Sequence, residues 1–403
     1  MQWGRRLALL LPCLGVAWLL PGGPAAAQDD SLKVPIVYVT KLEEERLPLA
    51  LVEPIVTDKG LVGARAALND NATTGRFLKH DYELIEVLVP EDGDLEAAVR
   101  EQLAAGHRFF VADLHDAQLR AVAGLPEAAE ALIFNVRSMD DTLRTTECHA
   151  NLLHIMPSRA MKADALAQYL VWKKWRRWLL LHGTAEVDLA FAEAFRRAAT
   201  KFGAKIVEER PFEGDAPSAR TDSGHAQIQM QMPVFTQDAA EHDVVVVADE
   251  SDSFGEYLPY RTWDPRPVVG TQGLVPTAWH RSHEQWGGTQ MHRRFDKFAH
   301  RDMTERDYTA WVAVRAIGEA VTRTNSAEVA TIRAYLFSDE FKVAAFKGEG
   351  LTFRKWNQQM RQPVLLAAPR SLVSVSPQTG FLHQRSQLDT LGYDEPESDC
   401  RLN

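Results

Sequence analysis

Along most of this chain, short and nearly continuous apolar runs alternate with stretches in which apolar residues recur at helical spacing. Continuous apolar runs are typical of strands that are buried on both faces of a parallel sheet. We predict such strands at residues 36–39, 109–112, 132–134, 178–181, 206–207, 244–248 and 268–269. The helical spacing predicts helices at residues 60–68, 95–104, 164–172 and 188–202. Strands and helices in regular alternation indicate an α/β fold with mostly parallel sheet.

This alternation runs through the chain twice, first over residues 34–154 and again over residues 160–279. Between the halves lie Met156, Pro157 and Ser158. Because proline disfavours a helical conformation in the residue before it, and serine caps helices well, we expect the chain to cross here from one lobe to another. The remaining sequence holds two helical stretches, then short strands with turns, then a polar tail, at residues 283–298, 306–322, 346–382 and 393–403. The two helical stretches are amphipathic and need a lobe to pack on.

The first residues have the three parts of an export signal. Arg5 and Arg6 make the start basic, residues 7–20 are almost wholly apolar, and small residues follow at positions 25–27. An apolar run of roughly 14 residues is shorter than the roughly 20 that a membrane-spanning helix requires. We therefore expect a cleaved signal peptide at residues 1–27 and a mature protein that is exported and has no stable membrane insertion.

The charge balance narrows the choice of partners. The formal net charge is -10, and it becomes -12 when Arg5 and Arg6 leave with the signal peptide. Nucleic acids and anionic membranes both attract clustered cations, so we expect neither as a partner. The one basic cluster, residues 173–177, is interpreted as the solvated edge of a helix that runs into a core strand. The mature length suits two domains better than one.

Two cysteines, Cys148 and Cys400, remain after removal of the signal peptide. An even number of cysteines in an exported chain favours a disulfide, here between the middle of the sequence and its end. Two separate thiols are the alternative. A structural zinc site built from thiolates is excluded, because it requires more cysteine or histidine ligands at spacings that this sequence lacks.

Three polar, acid-rich loops follow predicted strands, at residues 113–116, 135–141 and 249–252. Ligands in open α/β sheets bind outside the carboxyl ends of the strands, so these loops are the first candidates for a site. One interpretation is that the acids cap the helices that follow. The other is an oxygen-lined site between two lobes for an amine or for a hard cation such as calcium or a lanthanide, which requires six or more oxygen ligands. The candidate metal ligands are Asp113, Asp116, Asp249, Glu250 and Asp252, with Asp140 and Asp141 in the wider set of acids and His115 as a ligand for a softer metal.

The sequence contains none of the common catalytic motifs, such as a nucleophile elbow, a phosphate loop, dinucleotide-binding glycines or a zinc-protease helix. His280, His283 and Glu284 resemble a zinc motif only superficially, because the acid stands at the wrong position. We therefore expect a binding protein and not an enzyme. A hydrolase that acts through Asp116 or Glu250 is the remaining catalytic alternative.

Aromatic residues are dense between positions 257 and 286 and interleave with arginine and histidine. Such a group suits one wall of a ligand cleft, where rings stack on a planar or cationic ligand. Packing within the core is the alternative interpretation. The residues are Tyr257, Tyr260, Trp263, Trp279 and Trp286.

A further set of short motifs, spread over nearly the whole mature chain, resembles one protein family. In order along the chain they are Leu143-Arg144 with Cys148, His154 with Pro157-Ser158, residues 164–170, 248–252, 265–268, 270–274 and 346–348, and the stretch 376–393. In this order and spacing the chain resembles the type I periplasmic binding proteins of the branched-chain amino acid class. Within that class it is most similar to the substrate-binding proteins of ABC transporters associated with PQQ-dependent alcohol dehydrogenase systems.

The resemblance implies two Rossmann-like lobes with parallel sheets, joined by three crossovers, with the ligand trapped between the lobes by hinge closure. Lobe 1 would comprise residues 31–157 and 280–340. Lobe 2 would comprise residues 158–279 and 341–395, and residues 396–403 would form a C-terminal tail. The helices after Trp279 would thereby return to the first lobe.

The resemblance also places the site. In the amino acid binders of this family, small and hydroxyl residues of the first lobe hold the ligand carboxylate, and an acid of the second lobe holds the ammonium group. Here the corresponding positions carry Leu114-His115-Asp116, Arg137-Ser138 and Gln272-Gly273, so we do not expect an ordinary branched-chain amino acid as ligand. The residues predicted to bind the ligand are His115, Asp116, Asn135, Arg137, Ser138, Asp249, Glu250, Gln272 and Trp279.

From these expectations follows a predicted function. The protein would be a monomeric periplasmic receptor that takes up a small molecule or metal ligand and delivers it to an inner-membrane ABC permease. It would need no cofactor. The cargo would be a calcium or lanthanide ion or its chelate, or a small organic acid, linked to PQQ-dependent alcohol oxidation. The alternative is a periplasmic sensor or accessory protein of the alcohol dehydrogenase system that has no role in transport.

Overall fold

The first half of the chain builds a parallel sheet of five strands. The structure is a computed structural model that describes residues 31–43, 55–213 and 228–402; the predicted signal peptide lies outside them. The strands are β1 (Leu32–Lys41), β2 (His80–Val89), β3 (Phe109–Asp113), β4 (Leu132–Asn135) and β5 (Leu152–His154), in the order β2-β1-β3-β4-β5. The helices are α1 (Leu61–Leu78), α2 (Leu95–Ala104) and α3 (Asp116–Ala123). We call this sheet and the elements packed on it the first lobe.

Both faces of this sheet are covered, which explains the continuous apolar runs. Side chains alternate between the faces of a strand. Ile36 and Tyr38 of β1 therefore enter the core beneath α1, whereas Val37 and Val39 enter the core beneath α2 and α3. A polar residue inside any of the central strands would face an apolar layer. The polar side chains consequently collect at the strand ends.

The second half repeats the arrangement with four parallel strands. They are β6 (Arg177–His182), β7 (Lys205–Pro211), β8 (Val244–Ala248) and β9 (Val268–Gly270), in the order β7-β6-β8-β9. The accompanying helices are α4 (Arg159–Trp172), α5 (Glu186–Phe202), α6 (Ile228–Thr236) and α7 (Leu258–Arg261). We call this sheet and the elements packed on it the second lobe.

The last part of the chain contributes to both lobes. Its helices are α8 (Gly288–Ala299), α9 (Glu305–Thr324) and α10 (Val329–Leu336). Its strands are β10 (Val275–Thr277), β11 (Val343–Ala344), β12 (Gly350–Phe353), β13 (Met360–Arg361), β14 (Val364–Ala368) and β15 (Ser371–Ser376). Strands β10, β14 and β15 form one antiparallel sheet, and β11, β12 and β13 form another.

Helix α9 returns to the first lobe and packs along α1. Gly63 permits this close approach, because a Cβ atom there would overlap the backbone of Asp307. Phe341 and Leu351 still belong to the first-lobe core, whereas Val364 belongs to the core of the second lobe. By core packing the chain therefore changes lobe shortly before Val364, and not at the predicted residue 341.

Several elements differ from the predicted ones. Strand β2 was not predicted, because its residues alternate between polar and apolar as suits an edge strand. Helix α1 runs ten residues beyond the predicted end at residue 68, since the buried Asn71 within it donates to the carbonyl oxygen of Val314 on α9. The helix predicted from residue 283 begins only at Gly288, because Trp286 and Gly287 both have positive φ angles.

A disulfide joins Cys148, in the loop between β4 and β5, to Cys400 near the end of the chain. These are the two cysteines for which the sequence favours a bond. Their Cα atoms lie 5.7 Å apart, which is within the usual range for a disulfide. The C-terminal residues are thereby attached to the first lobe.

Candidate functional site

The loop after β4 takes its shape from the side chain of Asn135. The amide oxygen of this buried residue accepts hydrogen bonds from the backbone N–H groups of Arg137, at 3.1 Å, and Ser138, at 2.9 Å. Its Nδ2 donates to the carbonyl oxygen of Ser138. Asparagine side chains often close turns in this way. Asn135 therefore organises the loop, and Arg137 and Ser138 are the residues that it presents.

Ser138 connects this loop to the loop after β3. Its hydroxyl donates to Oδ1 of Asp116, at 2.6 Å, at the start of α3. Burial would raise the pKa of the Asp116 carboxyl, but the nearby Arg159 guanidinium and the Ser138 hydroxyl outweigh it and lower the pKa below its ordinary value. Asp116 is thus held as a carboxylate at the end of the first sheet.

Beside it, Glu43 draws together two of the predicted ligand residues. Its carboxylate lies 2.8 Å from Nε2 of His115 and accepts a hydrogen bond of 3.0 Å from Nη2 of Arg137. Partial burial opposes ionisation of Glu43, but these two partners prevail and lower its pKa. His115 and Arg137 are therefore neighbours at the carboxyl edge of the first sheet, with solvent access at His115.

In the second lobe, the loop after β8 is built around Asp249. The carboxylate of this buried residue accepts hydrogen bonds from the backbone N–H groups of Ser253, Phe254 and Gly255 and from the Ser253 hydroxyl. Both oxygens of this carboxylate therefore already accept hydrogen bonds from its own loop. Asp188 at the start of α5 holds the same loop through the backbone N–H and hydroxyl of Ser251.

Glu250 stands between these two anchored residues and reaches Arg159. The Arg159 guanidinium donates from Nε to Oε2 of Glu250, at 2.7 Å, and from Nη2 to Oε1, at 2.8 Å. The same Nη2 donates to Oδ2 of Asp116 at 3.2 Å. Burial lowers the tendency of Arg159 to stay protonated, but its acidic neighbours more than compensate and raise its pKa. One guanidinium, only 3% exposed, thus joins a carboxylate of the first lobe to one of the second.

Asp113 lies deeper, at the end of β3. It is fully buried and accepts hydrogen bonds from the hydroxyl of Tyr38, at 2.5 Å, and from Arg306, at 2.8 Å. Burial, followed by the charge and hydrogen bond of Asp113, raises the pKa of Tyr38 well above its ordinary value. A Cβ atom on Gly60, whose φ is +82°, would collide with both groups. Asp113 therefore belongs to the packing between β1, β3 and α9.

The other acids predicted to gather here also have partners within the protein. Asp140 forms an ion pair with Arg120. The carboxylate of Asp141 accepts from the backbone N–H of Ala160 at the start of α4, and burial raises its pKa. Asp252 accepts from Nε2 of Gln272 at 3.1 Å.

The positions of these acids can be compared with the predicted cation site. Within residues 31–43, 55–213 and 228–402, no group of three or more histidine, cysteine, aspartate or glutamate side chains is arranged to hold a metal ion. Of the predicted ligands, Asp116 and Glu250 meet through Arg159, whereas Asp113, Asp249 and Asp252 each have other partners. The physical reason is that Asp113, Asp116 and Glu250 pair with arginines, whereas Asp249 and Asp252 accept hydrogen bonds from uncharged donors.

Trp279 is also placed differently from the prediction. It is 2% exposed, belongs to the core of the first lobe and stacks on Tyr308 with ring centroids 4.6 Å apart. Tyr260 and Trp263, by contrast, are largely exposed on the second lobe. Trp279 therefore lies in the core of the first lobe and does not share one wall of a cleft with Tyr260 and Trp263.

Sequence reasoning missed Arg159 and Glu43. Arg159 occupies the first position of α4, directly after the N-cap Ser158. A cation is unfavourable at the positive end of a helix, so an arginine there indicates that an acidic partner lies nearby. This signal was present in the sequence. Glu43, in contrast, has no local feature that marks it.

Buried polar contacts link the three crossovers between the lobes. At the first, Arg144 donates to the carbonyl oxygen of Met156 and to Oε1 of Gln359, and burial lowers its pKa to about 10. At the second, Glu305 accepts from the backbone N–H of Ala278 and from Nζ of Lys162.

At the third crossover, Nζ of the buried Lys347 donates to Oε1 of Gln362, at 2.7 Å, and to the carbonyl oxygen of Pro363, at 2.8 Å. Gln362 in turn donates to the carbonyl oxygen of Ile155 in the first crossover. The hinge region is therefore an ordered polar layer.

No family model and no curated protein matches this sequence. Solved structures do match. The branched-chain amino acid ABC transporter periplasmic ligand-binding protein of Burkholderia xenovorans LB400 has a TM-score of 0.65 at 15% identity, over 86% of this chain and 95% of that one. An ABC transporter substrate-binding protein of Desulfitobacterium hafniense, in complex with Leu, has a TM-score of 0.62 at 14% identity, over 85% and 99%. A solute-binding protein of R. palustris, in complex with benzoate, has a TM-score of 0.62 at 9% identity, over 92% and 99%.

These likenesses identify the fold. The chain has the two-lobed α/β fold of the type I periplasmic binding proteins, with a parallel sheet in each lobe, and the predicted fold class is confirmed. In the described residues we find no helix that is both long and apolar enough to cross a membrane.

Proposed function

We propose that this protein is a periplasmic solute receptor that closes on a small ligand between its lobes and delivers it to an inner-membrane ABC permease. The fold supports this, since similar structures belong to substrate-binding proteins of ABC transporters. The site supports it as well, because the polar residues described above are engaged in positioning loops and in ion pairs. We propose no catalytic step for these residues.

One observation carries the proposal. Asp116 of the first lobe and Glu250 of the second accept hydrogen bonds from the same guanidinium, that of Arg159. The loops after β3 and β8 therefore meet at the carboxyl ends of their sheets, which is where ligands bind in open α/β sheets. A ligand that enters here touches both lobes and favours the closed population.

For the ligand we propose a small organic acid. The side chains of Arg137 and His115 both contact the carboxylate of Glu43. A ligand carboxylate can take the place of Glu43 and accept hydrogen bonds from the same two side chains. The similar structures named above include complexes with Leu and with benzoate, both of which bear a carboxylate. A calcium or lanthanide ion as cargo stays a prediction, although the arrangement of the acids favours the organic ligand.

The physiological setting is proposed from the motif resemblance. By this resemblance the receptor takes part in PQQ-dependent alcohol oxidation, and its cargo is an acid derived from an alcohol. It acts as a monomer in the periplasm. A sensor or accessory protein without a transport role would use the same cleft. Deletion of the cognate permease distinguishes the two, because only a transport receptor has a phenotype that this deletion reproduces.

Calorimetric titration tests the proposal. The panel contains leucine, benzoate, short hydroxy acids, calcium and lanthanum. We expect a carboxylate to bind without metal, and Arg137→Gln, which removes a proposed donor, to weaken that binding by about tenfold. Arg177→Gln is the matched control, since Arg177 starts β6 at the opposite end of the sheet and pairs with the exposed Glu241.

Two further variants separate the ligand classes. Asp249→Asn and Glu250→Gln each remove an acid from the loop after β8. Metal binding that both variants abolish would favour the cation and contradict the organic acid. Small-angle scattering completes the test, because a ligand of confirmed tight binding that produces no compaction would contradict a receptor that closes.

A further inference from the structure

Residues 388–400, which we call the C-terminal strap, contact both lobes. On the side of the second lobe, Leu391 is buried in the core formed with α4 and α5. The backbone N–H of Gly392 donates to Oδ2 of the buried Asp164 at 2.8 Å. Nζ of Lys201 donates to the carbonyl oxygens of Gly392, at 2.8 Å, and Thr390, at 3.0 Å. This half of the strap is anchored to the second lobe.

The same half of the strap also contacts the first lobe. Arg354 belongs to the β12–β13 region, in which Phe353 lies in the first-lobe core. The Arg354 guanidinium donates to Oδ1 of Asp389 at 2.8 Å and to the carbonyl oxygen of Leu391 at 2.7 Å. Both charged side chains are almost completely buried. The strap thus lies in the seam between the lobes.

The end of the strap is attached to the first lobe. The Ser398 hydroxyl donates to the carbonyl oxygen of Arg144 at 3.0 Å. The backbone N–H of Asp399 donates to the carbonyl oxygen of Thr145 at 2.8 Å. Cys400 then forms the disulfide described above. The strap therefore contacts both lobes near Leu391 and is bonded covalently to the first lobe at Cys400.

We propose that the C-terminal strap restrains the opening of the two lobes. The proposal rests on the hinge closure in the proposed function. Opening rotates the lobes about the three crossovers. The strap contacts both lobes and is therefore a fourth connection, which must stretch or lose its contacts with one lobe. The disulfide prevents release from the first lobe, so wide opening requires Leu391 and Gly392 to leave the second. If wide opening is restricted, a larger fraction of the ligand-free protein stays in conformations that can close on a ligand. The apparent affinity for the ligand is then higher.

Scattering from the ligand-free protein tests the strap. We compare the wild type with the double variant Cys148→Ser/Cys400→Ser. The radius of gyration expected for this chain length is about 21 Å, and we expect that of the double variant to be measurably larger than that of the wild type. Glu241→Gln is the control, because it removes an exposed partner of Arg177 outside the strap and leaves the strap and the disulfide intact. We expect this control to scatter like the wild type.

Folding of the double variant is checked by near-ultraviolet circular dichroism. If it folds and scatters like the wild type, the strap does not restrain opening. If it does not fold, the native wild type is treated with a trialkylphosphine and alkylated, and its scattering is compared with that of untreated protein under the same criterion. Since every measurement is made without ligand, failure of the strap proposal is distinct from a failure to bind any solute.

Discussion

Arg159 holds the carboxylate of Glu250 in two hydrogen bonds, from Nε at 2.7 Å and from Nη2 at 2.8 Å. This paired geometry is the strongest arrangement available to an arginine and a carboxylate. It fixes the loop after β8 against the start of α4, and the added contact with Asp116 extends it to the first lobe. One guanidinium is therefore shared by two carboxylates, one from each lobe.

Replacement of Arg159 by glutamine leaves Asp116 and Glu250 without their cation. Both carboxylates are about a quarter exposed or less, so we expect the free energy of unfolding to fall by about 2 kcal/mol, less than for a fully buried pair. Urea unfolding at pH 7 measures the change. The control Arg177→Gln, at an exposed surface pair that solvent screens, should change it much less. Equal losses in both variants would contradict the role given to Arg159.

The carboxylate of Asp249 accepts its hydrogen bonds from its own loop, so we expect its replacement to change stability and not ligand preference. Asp249→Asn places an N–H donor where the carboxylate accepts from backbone N–H groups such as those of Phe254 and Gly255. We expect a loss of about 1 to 3 kcal/mol in the free energy of unfolding, because a buried donor is left unpaired. Ligand preference should stay the same in calorimetry. A variant of unchanged stability and altered preference would show that Asp249 contacts the ligand.

Because Lys347 is buried, we expect the free energy of unfolding to rise with pH in the alkaline range. Burial lowers its pKa well below the ordinary value, and the two N–H groups of a neutral amine match its two acceptors, Gln362 and Pro363. The unfolded chain then binds a proton that the folded protein lacks. Between the lowered folded pKa and about 10.4, stability therefore rises with pH by up to about 1.4 kcal/mol per unit.

Urea unfolding of Lys347→Met at pH 7, 8 and 9 checks this slope. The variant has no amine at this position, so its stability should rise less with pH than that of the wild type. Lys355→Met, at an exposed lysine, is the control and should follow the wild type. Parallel curves for all three proteins would mean that Lys347 is protonated in the folded state.

Much of the fold follows from local patterns. The central strands of both sheets are apolar because helices cover both faces, so their sequence periodicity predicts them. In edge strand β2 polar and apolar residues alternate, so the search for continuous apolar runs did not predict it. The extent of α1 depends on Asn71 and its contact with α9, more than 240 residues away in sequence, and no local pattern reveals such a contact.

The site was less predictable for a related reason. The sequence marks Asp113, Asp116 and Glu250 as acids at strand ends, but their chemistry depends on which cation each one meets. Those cations come from distant segments: Arg306 for Asp113, and Arg159 for the other two. A cluster of acids in sequence thus became separate ion pairs in space.

The contact between Asp116 and Arg159 is measured by a double-mutant cycle with Asp116→Asn and Arg159→Gln. We expect a coupling energy of about 1 kcal/mol at pH 7, within the usual range for residues in contact. Because the pKa of Asp116 is lowered in the folded protein, its stabilising contribution is complete above the unfolded value of about 3.9 and is lost as the pH falls through the folded value. The coupling should therefore be constant between pH 5 and 7 and shrink in stronger acid. A coupling that is absent at pH 7, or that persists unchanged where Asp116 is protonated, would show that the two lobes are not joined electrostatically through this pair.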